Sequence, residues 1–306
     1  MSKPFDVLVA GEINPDLILT GNVAPEFGQV EKLIDHAELT IGSSSAIFAC
    51  GAARLGLKVA FTGVCGDDLF GRFMLDAMQA RSVDVSHVIR APGGQTGLSV
   101  ILNEGSDRAI LTHPGLISAL KAGDISDTLL RQTRHLHIAS YFIQTSLQPG
   151  LPQLFSRAHD YSISVSLDTN WDPAERWSGL DELLPLTDIF LPNEAEACAI
   201  TRQTDVEKAA KQLAEKTKKI AVKQGESGAL GMENESLIRI PSFPVKIMDT
   251  VGAGDSFDAG FIFGYLAGWS LDKSLRLAVA CGALSTQGQG GTSAQPTLEE
   301  AMRYVD

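Results

Sequence analysis

Short apolar runs that alternate with helical patterns are the feature that most restricts the fold of this chain. Strand-like runs cover residues 5–11 and 58–64, and helical patterns cover 42–56 and 69–80. The alternation resumes further along, at residues 135–140, 149–160, 163–168, 188–193, near 205–217 and at 219–225. Short strands joined by helical crossovers pair in parallel and bury both faces under helices. The pattern therefore predicts an α/β fold with a three-layer core and a mostly parallel central sheet.

Two stretches, at about residues 13–41 and 87–113, break this alternation. They contain segments such as TGLSVILN and DRAILTHP around the turn signal NEGSD, without helical periodicity. We expect them to form a small antiparallel β lid inserted into one domain that covers residues 1–306. Such a sheet has an exposed face and edges, so it can close over a site or pair with a second copy in a homodimer.

Composition and charge exclude several classes of function. The formal net charge of −12 argues against a nucleic-acid-binding protein, because a polyanion requires a basic face. The apolar runs stay shorter than the roughly 18 residues that span a bilayer, and the start lacks a signal-peptide pattern. We therefore expect a cytoplasmic protein without a membrane partner. The four cysteines are scattered without a CxxC pair, which indicates reduced, buried thiols.

The run DTVGAGDSFDAGF, residues 249–261, is the strongest local signal in the chain. Gly252 and Gly254 allow backbone N–H groups to crowd together at the start of an apolar helix, where an anion is favoured. A carboxylate at Asp255, beside that anion, suits a base for a hydroxyl that attacks a phosphoryl group. Taken alone, however, the motif is more typical of an acidic helix cap.

With this motif the chain resembles the ribokinase-like, or PfkB, family of carbohydrate kinases, whose C-terminal signature reads close to DTxGAGDxF. Further family-like patches are GEINPD (11–16), GSSSAIFACGAARLG with VAFTGVCGDDLFGRFM (42–74), DTNWDP (168–173), LPNEAEA (191–197), VKQGESGAL (222–230) and ALSTQGQGGTSAQPT (283–297). The resemblance covers nearly the whole chain and implies phosphorylation by ATP of a hydroxyl, expected to be primary, on a sugar or sugar acid. It makes Asp255 the general base and the backbone of Gly252, Ala253 and Gly254 the cradle for the transferring phosphoryl group.

The resemblance also implies a site for ATP and Mg²⁺. The expected nucleotide-binding residues are Asn193, Lys223, Gly225, Glu226, Gly228 and Gly254. Asn193 and Glu196 match the NxxE motif of the family, in which Glu196 holds Mg²⁺ through water. From the residues alone, Glu196 also fits a solvated first helical turn, and VKQGESG also fits an ordinary hairpin turn. A lone lysine at a strand end, such as Lys223, is more often solvated.

Substrate contacts are implied at the carboxyl end of the first strand, where open α/β sheets bind ligands. The expected residues are Asn14, Asp16, Gly42, Ser43, Ile47 and Tyr141. Asn14 and Asp16 match the sugar-hydroxyl clamp of the family, although turn chemistry would also explain them. Ile47 stands where many family members have Asn, and Tyr141 stands near the position of a sugar-binding glutamate. Both departures argue against ribose.

Asp249, the carbonyl of Val251 and the loop around Gly290 match positions at which some family members bind a monovalent cation. Potassium is therefore a further expected cofactor. An acidic residue before the motif is otherwise an ordinary loop residue.

Two alternative functions stay open. One is a nucleoside kinase on the same scaffold, for which Phe48, Tyr141 and Phe142 could stack a second base. The other is a sensor that binds a sugar or nucleotide without chemistry, which an intact GAGD motif argues against. A phosphorylated sugar is less expected as substrate, because residues 11–47 contain no Arg or Lys cluster.

Overall fold

The computed structural model describes residues 3–104 and 107–305, and of Asp107 only the backbone. The turn signal NEGSD falls partly outside these residues, at Gly105 and Ser106. The strands are β1 (Phe5–Ala10), β2 (Pro15–Thr20), β3 (His36–Ile41), β4 (Val59–Thr62), β5 (Val64–Gly66), β6 (Val83–Asp84), β7 (Ile89–Ala91), β8 (Leu98–Glu104), β9 (Asp107–His113), β10 (Thr133–Ile138), β11 (Ser164–Leu167), β12 (Ile189–Phe190), β13 (Lys219–Lys223), β14 (Ala229–Glu233) and β15 (Ser236–Ile240).

The helices alternate with these strands along the chain. They are α1 (Ser44–Arg54), α2 (Leu69–Gln79), α3 (Asp127–Arg131), α4 (Leu151–Asp160), α5 (Glu194–Thr201), α6 (Val206–Ala214), α7 (Ala253–Leu266), α8 (Leu271–Ser285) and α9 (Leu298–Met302). Among the described residues, none of these helices is both long and apolar enough to cross a membrane.

A nine-stranded sheet forms the centre of the molecule, in the order β15-β14-β13-β12-β11-β10-β1-β4-β6. Its pairs are parallel from β13 to β6, and β14 and β15 add two antiparallel strands at one edge. Both faces are buried: Val7 and Val9 pack into one apolar cluster with α1, α7 and α8, whereas Leu8 and Ala10 pack into the other with α4 and α6. This arrangement confirms the predicted α/β fold class.

A second sheet, which we call the lid sheet, has the strand order β3-β2-β8-β9. Its outer pairs are antiparallel and its central pair, β2 with β8, is parallel. These strands lie inside the two stretches that break the βα alternation. The start of the second stretch, β7, pairs instead with β5 in a separate two-stranded sheet. The lid sheet grows out of the carboxyl end of β1, so it covers the edge at which parallel strands present their ligands.

Candidate active site

The start of α7 is a helix N-terminus built on glycine. Gly252 caps the helix with φ 72°, in the left-handed region that favours glycine. A Cβ atom at Gly252 would lie 2.7 Å from the Cα of Gly291, so a larger residue would displace the C-terminal loop. The amides of Gly254 and Asp255 lie in the first turn, where the helix offers them no carbonyl, so they can donate to an anion.

A cavity of about 490 Å³ opens on one side of this turn, and we call it the β13 cavity. Six of the residues expected at the phosphate and nucleotide positions line it: Lys223, Gly225, Glu226, Gly228, Ala253 and Gly254. Phe243, Val245 and Val279 add apolar walls, which suit an aromatic base. Gly228 is required for the turn, because a Cβ atom there would lie 2.0 Å from the carbonyl oxygen of Ile240.

A second cavity of about 870 Å³ opens on the other side of the turn, under the lid sheet, and we call it the lid cavity. Four of the expected substrate residues line it: Asn14, Asp16, Ser43 and Ile47. Gly252 and Asp255 line it as well, and Thr250 lines both cavities. The start of α7 therefore separates the two cavities, with Gly254 on the β13 side and Asp255 on the lid side.

Asp255 is buried, with 8% of its surface exposed. Burial and the nearby Asp168 raise the pKa of Asp255 well above its usual range, whereas Lys223 and the hydroxyl of Ser44 oppose the rise. A carboxylate with a raised pKa is a stronger base, because it holds an accepted proton more tightly. The site therefore strengthens Asp255 as a proton acceptor.

Beneath the start of α7 lies a cluster of three buried charged side chains, Lys223, Asp168 and Asp258, which we call the charged floor. Lys223 Nζ lies 2.8 Å from Asp168 Oδ2 and 3.2 Å from Asp258 Oδ2. Burial raises the pKa of Asp258 well above its usual range, although Lys223 opposes it. Burial opposes charge on Lys223 too, but Asp168 and Asp258 raise its pKa overall, so the ammonium stays charged.

The interpretation of Lys223 as a solvated strand end is therefore wrong. Its side chain is only 12% exposed, because it points inward between the two carboxylates of the charged floor. A Cβ atom at Gly254 would lie 3.5 Å from Lys223 Cδ and 3.6 Å from Nζ, so the ammonium lies directly behind the glycine of the anion site. A fixed positive charge at this place attracts an anion bound in front of Gly254.

Asn193 and Glu196 form the capping box of α5. Asn193 Oδ1 accepts from the Glu196 amide at 2.9 Å, and Glu196 Oε2 accepts from the Asn193 amide at 2.9 Å. Glu196 is not solvated, as it would be in an ordinary first helical turn, since only 4% of its surface is exposed. Burial and Asp168 raise the pKa of Glu196 to about 7.

These acidic groups fit a hydrated Mg²⁺ better than a metal caged by protein. Among the described residues, no group of three or more His, Cys, Asp or Glu side chains could hold a metal ion. Mg²⁺ that arrives with nucleotide phosphates keeps most of its waters and needs only one or two protein oxygens. Glu196 and Asp168 act electrostatically on each other and on Lys223, which lines the β13 cavity, and a cation there would offset their negative charge.

Glu12 is a buried carboxylate of the lid cavity that sequence reasoning did not single out. Its oxygens accept hydrogen bonds from Ser43 Oγ at 3.0 Å, Ser45 Oγ at 2.6 Å and Ser140 Oγ at 3.0 Å. Ser43 holds φ 66°, a region that favours glycine, and its hydroxyl also accepts from the Ala46 amide. The serines at 43–45 stand more than thirty residues from Glu12 in the sequence, so only the fold brings these hydroxyls to the carboxylate.

Asn14 and Asp16 lie together at the base of the lid sheet. Asn14 Nδ2 donates to Ser99 Oγ on β8 at 3.4 Å. Burial and then Asp249 raise the pKa of Asp16 to about 7, and the positive charge of Arg108 opposes the rise. Gly42 lies behind this pair, since a Cβ atom there would lie 2.2 Å from Asp16 Oδ1.

The expectation that Tyr141 contacts substrate is corrected by its position. Its hydroxyl donates to the Gly179 carbonyl at 3.1 Å, so the ring packs away from the lid cavity, which Ser140 and Ile143 line instead. The half-exposed Trp171 also lines this cavity and meets Trp177 edge-on at 4.9 Å between ring centres. It stands in the DTNWDP patch, yet nothing local to that patch indicates which way the ring points.

Arg108 of β9 also lines the lid cavity. Residues 11–47 contain no cluster of basic residues, but Arg108 reaches the same cavity from a strand more than sixty residues later. Pairing of the lid strands brings the two segments together, which local sequence does not reveal.

Asp249 joins the start of α7 to the C-terminal loop. Its Oδ1 accepts from the Val251 amide at 3.0 Å and its Oδ2 accepts from the Gly290 amide at 2.9 Å. The three residues expected at a potassium site thus lie together, and the two amides give the Asp249 carboxylate a role in holding the loops.

Comparison with known proteins gives a consistent picture. A family model described as pfkB family carbohydrate kinase matches residues 5–298. A 5-dehydro-2-deoxygluconokinase of Geobacillus thermodenitrificans is 28% identical, over 99% of this chain and 94% of its own. A ribokinase of Haemophilus influenzae is 30% identical, over 100% of this chain and 99% of its own.

Solved structures share the fold. A ribokinase of Arabidopsis thaliana complexed with ribose and ATP has a TM-score of 0.88 at 22% identity, covering 100% of this chain and 99% of its own. A ribokinase II structure from E. coli in complex with ATP and Mg²⁺ has a TM-score of 0.87 at 24% identity, covering 99% of both chains.

Proposed function

This chain belongs to the pfkB family of carbohydrate kinases, and we propose that it transfers the γ-phosphoryl group of ATP to a primary hydroxyl of a sugar or sugar acid, with Asp255 as the general base. Phosphotransfer to an alcohol group follows from the family. One observation carries the finer assignment: the start of α7 stands between two cavities and presents a carboxylate to the lid cavity. A base and an anion site back to back are what transfer between two bound molecules requires.

In the proposed mechanism the acceptor hydroxyl lies in the lid cavity against Asp255. Asp255 accepts the hydroxyl proton as the oxygen attacks phosphorus, and the terminal bridging oxygen leaves with ADP. Asn14 and Asp16 orient the other hydroxyls of the acceptor, because they line the same cavity. The buried base of the lid cavity limits the access of water, which disfavours hydrolysis of ATP.

The transferring phosphoryl group is held by the amides that follow Gly252. In the transition state its negative charge is spread over the three equatorial oxygens, where helix N-terminal donors stabilise it. Lys223 adds a positive charge behind Gly254, and its contacts with Asp168 and Asp258 hold the ammonium in that position. We therefore assign Lys223 to the positioning of the anion site from behind.

We propose that Glu196 and Asn193 hold Mg²⁺ through water at the phosphates of the nucleotide. When bound, the ion would neutralise phosphate charge during transfer. Potassium activation through Asp249, Val251 and Gly290 stays a prediction, which rates measured in potassium and in tetramethylammonium salts will test.

Asp255→Asn tests the mechanism directly. The amide keeps the size of the side chain but cannot accept the proton, so turnover should fall by roughly 10²–10⁴-fold or more while nucleotide binding persists. Asp272→Asn, a substitution in the first turn of α8 away from both cavities, is the matched control and should leave turnover unchanged. Near-normal turnover of Asp255→Asn would reject the assignment.

A nucleoside acceptor is the second candidate, and Trp171 at the lid cavity is the observation in its favour. Phe48 is stacked on His137 with ring centres 3.6 Å apart, and neither Tyr141 nor Phe142 is among the residues that line the cavity. An ADP-release assay over sugars, sugar acids and nucleosides separates the two candidates.

A homodimer through the lid sheet is proposed as well. Phe27 is 98% exposed and Leu33 is 87% exposed in the connection between β2 and β3, and a second copy would cover them. Sedimentation equilibrium of the wild type and of Phe27→Ser with Leu33→Ser tests this, and an unchanged monomer mass in both would reject it.

A further inference from the structure

We propose that the acceptor is an anionic sugar, and that Arg108 binds its carboxylate or phosphate at the outer end of the lid cavity. The inference rests on the proposed function, because it places the hydroxyl that reacts at Asp255. It narrows that function from sugars in general to acceptors with a negative group far from the reacting hydroxyl.

The register of the lid sheet sets the position of Arg108. In the β8–β9 pair, Ser99 lies opposite Thr112, and Ile101 lies opposite Ile110. Every second residue of a strand points to the same face, so Thr112, Ile110 and Arg108 share one face of β9, and all three line the lid cavity. The cavity face of the sheet thus changes from hydroxyl to isoleucine to guanidinium along the strand.

The length of this face fits an extended acceptor. Thr112 lies four positions along the strand from Arg108, which is about 14 Å between their Cα atoms at roughly 3.4 Å per residue. Ser99 and Thr112 hydrogen bond to each other at 3.1 Å beside Asn14, so the hydroxyl-binding end lies at the base of the sheet. An acceptor that spans the face has its polar carbons at the base and its other end beside Arg108.

Arg108 lines the lid cavity together with Asp16. Asp16 lies on β2, two strands away from β9 in the sheet order. The positive charge of Arg108 opposes the rise that burial causes in the pKa of Asp16, so the two groups act on each other across the cavity.

The distribution of charge orients an anion. Three acidic residues, Glu12, Asp16 and Asp255, lie at the base of the lid cavity. Arg108 is the one basic residue among the described residues that line it. A negative substituent is attracted to Arg108 at the outer end, and each acidic group of the base that is ionised repels it. The same field turns the uncharged hydroxyl towards Asp255, so the charges set the direction in which the acceptor enters.

The isoleucine pair separates the two ends of the face. Ile101, which is buried, and Ile110, which is 53% exposed, lie between the hydroxyl end and the exposed Arg108. A guanidinium pairs with a carboxylate or phosphate through two parallel N–H donors, which makes the contact specific for anions. If Arg108 served only to offset Asp16, it would support every acceptor equally.

Binding measured without ATP tests the inference with matched pairs of probes. Gluconate and glucitol differ by a carboxylate, and glucose 1-phosphate and glucose differ by a phosphate. Calorimetric Kd values are measured for the wild type, Arg108→Gln, Arg108→Lys and the control Arg90→Gln on β7, with circular dichroism confirming that each variant folds.

We expect Arg108→Gln to weaken binding of gluconate, of glucose 1-phosphate or of both by roughly 10–100-fold, since a charge-assisted hydrogen bond contributes about 1.5–3 kcal/mol. Glucitol and glucose should change less than twofold. Arg108→Lys should retain part of the anion binding, and Arg90→Gln all of it. The pair that responds identifies the anion as carboxylate or phosphate.

Three results would overturn the inference: equal weakening of the charged and neutral member of each pair, no change in any Kd, or no measurable anion binding by the wild type. The proposed function fails separately. Binding of an anion that depends on Arg108, together with no ADP release, would reject the kinase mechanism and leave the anion site. ADP release with neutral acceptors alone would support the kinase mechanism and reject the anion site.

Discussion

The charged floor beneath the start of α7 and the outer wall of the lid cavity are built in opposite ways. In the floor, Lys223 and its two carboxylate partners are at most 12% exposed, and the ammonium contacts one oxygen of each carboxylate. The outer wall consists of Arg108, Ile110 and Trp171. In it, Ile110 is 53% exposed and Trp171 is 49% exposed. The floor is thus shielded from solvent, whereas the wall is accessible to a ligand.

This difference separates the two tasks of the enzyme. Electrostatic stabilisation of a transferring phosphoryl group requires charges that are fixed before the reaction, and burial fixes them. Selection of an acceptor requires surfaces that are exposed until it arrives. We therefore expect substitutions in the floor to act on stability and turnover together, and substitutions in the wall to act on acceptor binding alone.

Lys223→Met is the largest test of this contrast. It leaves Asp168 and Asp258 buried without their cation, so the free energy of unfolding should fall by about 3–5 kcal/mol, as it does when one partner of a buried ion pair is removed. Urea unfolding at pH 7 measures the change. Adding Asp168→Asn should recover part of the loss, because one of the two stranded charges is then gone.

Lys219→Met on the same strand is the matched control. Lys219 pairs with Glu233 across the edge of the sheet, where both side chains contact solvent, and an exposed pair contributes about 0–1 kcal/mol. If the two lysine variants lost similar stability, the floor would be no more than another surface ion pair.

Asp16 gives the second test, because it is a buried carboxyl of the lid sheet at the border between floor and wall. Its folded-state pKa of about 7 lies above the value of 3.8 for an exposed aspartate. Its contribution to stability is therefore present below about pH 4 and is lost as the pH rises through 7. We expect Asp16→Asn to become more stable than the wild type over this range, by about 2–4 kcal/mol at pH 8.

Asp68→Asn is the control of opposite sign. Burial raises the pKa of Asp68, but hydrogen bonds from Gly71 and Thr96 lower it overall, so its contribution is lost only as the pH falls into the acid range. Between pH 5 and 8 its stability should run parallel to the wild type. A flat difference for Asp16→Asn in the same chemical-unfolding series would mean that Asp16 is ionised throughout.

Ser45→Ala is a smaller test. It probes the cage of Glu12, which is formed by the hydroxyls of Ser43, Ser45 and Ser140 that donate to its carboxylate. It removes the 2.6 Å hydrogen bond to Glu12 Oε2 and leaves a buried carboxylate oxygen without that donor, at a cost of about 1–3 kcal/mol. Ser156→Ala, on the exposed side of α4, should cost less than 0.5 kcal/mol. Equal thermal stability of the two variants would show that the cage does not hold Glu12.

The contrast also explains what the sequence could predict. The α7 start was accessible because its parts are consecutive: Gly252, Gly254 and Asp255 stand within one helical turn, and their chemistry follows from local backbone geometry. The alternation of short strands and helices likewise identified the fold class. Such features are encoded within about fifteen residues of each other, which is the range over which periodicity and capping act.

The charged floor and the outer wall could not be predicted in the same way. Lys223 meets Asp168 across 55 positions of sequence, and its inward orientation is decided by the packing of β13 against α7. Arg108 joins the cavity of Asn14 and Asp16 only through the parallel pairing of β2 with β8. Tyr141 shows the converse, since its place next to a strand end suggested a contact that its bond to Gly179 prevents.

Trp171→Ala is the smallest test and the one that isolates the outer wall. The ring is half exposed and touches Trp177 edge-on, so its removal should cost no more than about 1 kcal/mol of folding stability. If it covers one face of the acceptor, KM should rise roughly 3–10-fold for the acceptor found by ADP release, with kcat unchanged. Trp269→Ala, whose ring packs on Phe263 at 5.7 Å and away from both cavities, is the matched control. A fall in kcat with unchanged KM for Trp171→Ala would assign this residue to the chemical step. It would contradict the expectation that substitutions in the outer wall act on acceptor binding alone.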